Sequence, residues 1–149
     1  MKLTVDACSV ILLAKATVFE GFARWRELMI TKGVYNEVME GKSKGFFDAL
    51  ILEKLVEDKK IQVKTNFKNE LVQKFINDFG LGIGEAESIA LTLGNKEKVI
   101  VTDNKQGRKA AKVQGLNLLG SIDIIIAMYK TKRIDKEKAM GALKILKVN

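Results

Sequence analysis

The chain contains no histidine, no proline and one cysteine in 149 residues. Without an imidazole there is no Ser-His-Asp or Cys-His nucleophile system, no histidine-ligated zinc and no histidine proton shuttle. A single cysteine, Cys8, makes neither an internal disulfide nor a cysteine-rich metal cluster. Long apolar runs are missing as well. Near the N-terminus the longest uncharged stretch covers residues 7–14, between Asp6 and Lys15, far short of the roughly 20 residues that span a bilayer. Lys2 imitates the start of a signal peptide, yet Asp6 falls where its apolar core would begin. A cytoplasmic protein with no membrane segment is therefore expected. Its chemistry must come from carboxylates, hydroxyls, lysines, backbone groups or a bound ion.

What is present fits one compact domain over residues 1–149: 47% of the residues are hydrophobic, and no linker, repeat or low-complexity tract divides them. The formal net charge is +8. Residues 1–94 carry 13 basic and 13 acidic side chains, whereas residues 95–149 carry 13 basic and 5 acidic. All of the excess lies in the last third of the chain. Such an asymmetric field suits an anionic partner, most often nucleic acid, and equally a lysine-rich solvated surface.

Short apolar runs alternate with longer stretches of helical periodicity. Strands are expected at residues 2–5, 28–30, 61–63, 99–102 and 116–119. Helices are expected at 10–16 with Ser9 as N-cap, at 19–27, 33–39 and 44–58, around Leu71, Phe75 and Phe79, at 84–93 and 104–113, and in two closing segments. Strands separated by helices imply right-handed crossovers and a parallel sheet covered on both faces. The fold expected is a three-layer α/β/α domain with a central parallel sheet of about five strands. Ligands of such sheets bind outside the carboxyl ends of the strands.

Four carboxylates are aimed at that edge. Asp6 and Asp103 each follow a strand, and Glu37 and Glu85 lie early in helices that start there. Any one of them has a structural explanation, as a turn former, a cap or a complement to a helix dipole. Together they repel one another and need a proton or a cation. Hard oxygen ligands without histidine or thiolate point to Mg²⁺ or Mn²⁺. Glu85 and Glu87 diverge by about 200° around one helix, so both cannot face the site. Glu85 lies on the apolar side with Ala86, Ile89, Ala90 and Leu93, which makes it the ligand and Glu87 a supporting residue.

Five segments then share a resemblance. Val5-Asp6-Ala7-Cys8-Ser9 resembles the first-strand motif of PIN-domain nucleases, and Val34-Tyr35-Asn36-Glu37-Val38 resembles the segment supplying their second acid. The run from Gly82 through Glu85 and Glu87 to Leu91 is similar to the G-x-G-E-x-E-x-I-x-L helix of a mostly archaeal and bacterial PIN subgroup. Val101-Thr102-Asp103-Asn104-Lys105 with Arg108 resembles that subgroup's Asp-Asp-Lys-x-x-Arg stretch, and Leu119-Gly120-Ser121-Ile122 its final G-T-L turn. Asn104 departs from the pattern by replacing a second aspartate, and Thr31 stands where a proline is frequent.

The resemblance implies a metal-dependent ribonuclease, often a homodimer and often the toxin of a VapBC-type toxin–antitoxin pair, with a small antitoxin protein as partner. In that reading Asp6, Glu37, Glu85 and Asp103 are catalytic metal ligands for Mg²⁺ or Mn²⁺. Ser9 hydrogen-bonds and orients Asp6, Glu87 and Asn104 support the site, and Lys105 and Arg108 contact RNA phosphates. The basic last third is expected to form an RNA-holding wall beside the metals. Trp25, Phe46 and Phe47 read as core or dimer packing ahead of RNA stacking, and Cys8 as a buried small residue. Two alternatives stay open: a PIN-like RNA-binding module whose site holds metal weakly, for which Asn104 is the reason, and a protein-interaction module whose acidic rim accepts an arginine.

Overall fold

The structure, a computed structural model, describes residues 2–148. Five parallel strands stand in the order β3-β2-β1-β4-β5: β1 (Lys2–Val5), β2 (Glu27–Thr31), β3 (Ile61–Lys64), β4 (Val99–Val101) and β5 (Asn117–Leu119). Leu3, Val5, Leu28, Ile30 and the whole of β4 are buried, as expected for strands covered on both faces. Nine helices flank the sheet among the described residues: α1 (Ala7–Lys15), α2 (Phe19–Trp25), α3 (Lys32–Glu40), α4 (Phe47–Glu57), α5 (Asn69–Phe79), α6 (Ile83–Leu93), α7 (Lys105–Val113), α8 (Ser121–Lys130) and α9 (Lys136–Val148). They divide the core into two clusters. One contains Phe19, Phe22, Leu52 and Ile125, and the other Phe75, Ile89, Ala110 and Leu116. The result is the expected three-layer α/β/α arrangement. None of the described helices is long and apolar enough to cross a membrane.

Two expectations about helix starts are corrected. The N-cap of α1 is Asp6, whose carboxylate accepts a hydrogen bond from Ala7 N at 2.9 Å, so the helix begins three residues before the expected start. Ser9 lies inside its first turn. Asn104, one residue beyond Asp103, caps α7 through a hydrogen bond from Gly107 N at 2.9 Å. Thr31 caps α3 in the same way, accepting from Val34 N at 3.1 Å.

Strand order turns back between β1 and β4. The chain lays β2 and β3 on one side of β1, then returns to place β4 and β5 on the other. At that switch point the crossover connections part and leave a crevice at the carboxyl edge. Asp6 directly follows β1, and Asp103 stands two residues past β4, so the two acids flank the crevice.

Candidate active site

Asp6 is buried, with only 2% of its surface exposed. Beyond the bond from Ala7 N, its other carboxylate oxygen accepts from Thr102 Oγ at 3.1 Å. Burial is the main reason its carboxyl is pushed up from 3.8 to about 6, and the nearby charges of Glu85 and Glu37 add to the rise. Glu37, the sixth residue of α3, is also raised above an ordinary glutamate, first by desolvation and then by Glu85 and Glu40. Mutual repulsion thus links three carboxylates carried by β1, α3 and α6.

Glu85 reaches the crevice from the first turn of α6. Its Oε1 accepts from Gly82 N at 2.9 Å, while its Oε2 is buried and has no hydrogen-bond partner among the described residues. Two glycines make room for this approach. A Cβ on Gly84 would stand 3.1 Å from Glu37 Oε1, and one on Gly107 would stand 3.5 Å from Glu85 Oε2. A side chain on Gly84 would press on Glu37 Oε1, whereas one on Gly107 would meet Glu85 Oε2 at ordinary contact distance.

Glu87 turns elsewhere. Its Oε1 accepts from Gly33 N at 3.0 Å in the first turn of α3, tying α6 to α3. A Cβ on Gly33 would collide with that same oxygen.

Asp103 stands at the same edge but is held apart. Its carboxylate accepts from Ser9 Oγ at 2.7 Å, from Ser121 N at 2.9 Å and from the Ser121 hydroxyl. The expected bond from Ser9 to Asp6 is therefore corrected: Ser9 points across the crevice to Asp103. Asn104 spends its carbonyl oxygen on the α7 cap and so does not offer it to the crevice in this arrangement. Arg108 Nη1 donates to the Thr102 carbonyl at 2.8 Å, which fixes its guanidinium beside the acids, whereas Lys105 is exposed at the start of α7.

Thr102, Ser121 and Gly107 also belong to this site; the first two lie in segments that carry the resemblance, but no role was expected of them. Only their place beside the acidic segments could signal them. Cys8 is partly exposed, with Sγ 3.7 Å from Thr102 Oγ1. Phe46 and Phe47 are exposed, at 54% and 71%, and so lie outside the core, while Trp25 is half-buried beneath Arg26.

The arrangement has the chemistry of a site for a hard cation. Three carboxylates approach one another, one buried oxygen lacks a donor, and Thr102 Oγ with two backbone N–H groups holds the oxygens of Asp6 and Oε1 of Glu85. As the side chains stand, no three acidic or thiol groups among the described residues are close enough to enclose an ion. Asp103 in particular is drawn toward Ser9 and Ser121.

The basic excess of the last third does not gather here. Lys105 and Arg108 stand at this edge, but Lys96, Lys98, Lys112, Lys130, Lys132 and Arg133 belong to strand entries, helix ends and turns at the opposite one. The expected RNA-holding wall is thus largely on the far side of the sheet.

Comparison with curated proteins returns no match. A sheet that turns back between two acid-tipped strands, with a glutamate entering from each of two crossover helices, agrees with a family model that matches the chain. That model describes a PIN domain and spans residues 2–148, so the chain belongs to the PIN domain family.

Proposed function

We propose that this chain is a divalent-metal-dependent ribonuclease that hydrolyses RNA phosphodiester bonds. PIN domains are in general nucleases and generally use divalent metals. The observation that carries the reading is that Asp6, Glu37 and Glu85 stand near enough to repel one another while Oε2 of Glu85 is buried without a partner. A buried carboxylate oxygen without a donor costs free energy, and a cation removes that cost.

The residues that would hold Mg²⁺ or Mn²⁺ are Asp6, Glu37 and Glu85, with Asp103 completing the set. The ion would supply Lewis-acid polarisation of a phosphoryl oxygen and an activated water. The chain's own groups do the positioning. Ala7 N and Thr102 Oγ fix the plane of the Asp6 carboxylate, and Ser9 and Ser121 fix that of Asp103. Five helices, α1, α3, α6, α7 and α8, begin at this edge, and their N-termini favour anionic phosphate. Lys105 and Arg108 hold phosphates that flank the scissile bond. Neither a histidine nor a covalent nucleophile is required.

The test is cleavage of single-stranded RNA with Mg²⁺ or Mn²⁺, together with a rise in melting temperature on adding Mn²⁺. Cleavage that survives EDTA or Asp6→Asn overturns the reading. Salt-sensitive RNA binding with neither cleavage nor a metal-induced rise would select the RNA-binding alternative. The biological role we propose is the toxin of a VapBC-type pair, acting as a homodimer with a small antitoxin partner. A neighbouring reading frame whose product suppresses the cleavage tests that assignment.

A further inference from the structure

We propose that the edge of the sheet opposite the carboxylates is a second binding surface, one that grips the phosphate backbone of single-stranded RNA. It is built around the α8–α9 turn. A cleft of about 490 Å³ is lined there by Tyr129, Lys130, Lys132, Arg133, Ile134 and Asp135. A second cleft of about 280 Å³ shares Arg133 and Ile134 and reaches Arg24 and Trp25 at the end of α2.

Three cations, Lys130, Lys132 and Arg133, share this cleft with one acid, Asp135. Lys130, Lys132 and Arg133 are exposed, and among the described residues neither they nor Arg26 makes an ion pair. Asp135, the acid among them, is occupied in capping α9, accepting from Lys138 N at 2.8 Å. Aromatic surface accompanies the charge. The guanidiniums of Arg26 and Arg133 stand 4.3 and 5.5 Å from the Trp25 ring centre, and Tyr129 is 44% exposed beside Lys130. Cations that hold phosphates next to a ring on which a base can stack form the usual grip on single strands.

The backbone of the turn is a closure that this chain also uses after α1, α4 and α7. Helix α8 closes with Arg133 N bonded to Met128 O and Lys132 N to Tyr129 O, the geometry in which a glycine normally takes the left-handed position. Lysine occupies it here, with φ at 61°. The equivalent position is Gly115 after α7, Thr17 after α1 and Lys59 after α4. A charged side chain thus stands where glycine would fold more easily.

Acidic peptides or anionic membranes also attract lysine, but the planar guanidiniums and exposed tyrosine favour RNA. Helix α8 joins this surface to Ser121 at the carboxylate edge and is about 15 Å long. The surface goes beyond the nuclease reading, because the binding it predicts needs neither metal nor cleavage.

The test measures binding of a fluorescent 20-nucleotide single-stranded RNA to the full chain carrying Asp6→Asn, over a range of salt. Lys130→Glu with Lys132→Glu is expected to weaken binding about tenfold and to lower the salt slope by about 1.4, or about 0.7 for each phosphate no longer neutralised. Lys132→Gly is expected to weaken binding severalfold without lowering the melting temperature, which separates the charge from the fold. Tyr129→Ala is expected to weaken binding with the slope unchanged. The control Lys144→Glu with Lys147→Glu makes the same charge change on α9. An equal loss there, unchanged affinity in Lys132→Gly, or equal competition by polyglutamate or anionic vesicles would overturn the proposal.

Discussion

Asp6→Asn tests the electrostatics of the crevice without requiring any catalysis. The Asp6 carboxyl holds its proton up to about pH 6, against 3.8 ordinarily. A group whose folded value is raised contributes stability that is fully present below the unfolded value and is lost as pH rises through the folded one. Between about pH 4 and pH 6 the protein therefore loses stability from this side chain. Two pH decades correspond to about 3 kcal/mol.

Asparagine removes that loss because it carries no charge. It remains an equally good N-cap for Ala7, but it gives up the charge-assisted bond from Thr102, worth about 1 kcal/mol. The net expectation in EDTA at pH 7.5 is stabilisation by about 2 kcal/mol. For a domain of this size that raises the melting temperature by about 4–8 °C.

Calorimetry of both proteins at pH 4 and pH 7.5, with and without Mn²⁺, checks each step. The gain should shrink toward zero at pH 4, where the carboxyl of folded Asp6 carries its proton. Mn²⁺ should raise the melting point of the native chain and not of the variant. A variant that melts lower at pH 7.5 in EDTA, or a gain that persists at pH 4, would refute the idea that burial, with help from the neighbouring carboxylates, makes the Asp6 charge costly here.

Three further outcomes follow from particular contacts. Glu87→Gln should lose about 1 kcal/mol in denaturant unfolding by weakening the bond from Gly33 N, yet keep its Mn²⁺-induced rise, whereas Glu85→Gln should lose that rise. Ser121→Ala leaves Asp103 the Ser9 hydroxyl and a backbone N–H. It should lower kcat about tenfold with KM nearly unchanged, and Ser121→Thr should restore the rate. Gly84→Ala adds about 1 kcal/mol of helix propensity but brings a Cβ to 3.1 Å from Glu37 Oε1. Its metal-free melting point should therefore hold while cleavage and the Mn²⁺ response both fall.

Most of the fold was legible because buried strands write themselves as apolar runs. All five strands overlap the segments expected from sequence, and the helices differ mainly at their ends. Those ends expose the limit. Asp6 and Ser9 are both N-cap types, and periodicity locates a buried face without locating the first turn around it. The choice was settled by Asp6, whose carboxylate bonds to Ala7 N, and not by the hydroxyl three residues on. The carboxylate positions were legible for a related reason, since an acid directly after a parallel strand has only one edge to occupy. The partners of Asp103 were not. Ser9 and Ser121 lie 94 and 18 residues away, and nothing local in either segment announces the meeting.

Charge was the least legible feature, because composition counts it without placing it, and the polarity of the fold does the placing. In this parallel sheet α1, α6, α7 and α8 begin at the carboxyl edge and end at the other. Helix N-termini tolerate acids and C-termini favour bases. Glu85 and Asp123 accordingly fall in first turns, while Lys15, Lys112 and Lys130 fall in last turns. This sorting turns a chain that looked neutral in front and basic behind into a domain with an acidic edge and a basic one. Dipoles do not finish the work at either edge. Asp6 still sits near pH 6 with a helix N-terminus against it, so the acids need more than backbone to balance them. At the basic edge Lys132 lies beyond the last turn of α8, in a conformation that glycine would hold at less cost, so the helix dipole does not account for it. Each edge keeps a charge that the scaffold leaves unpaired, negative on one side and positive on the other.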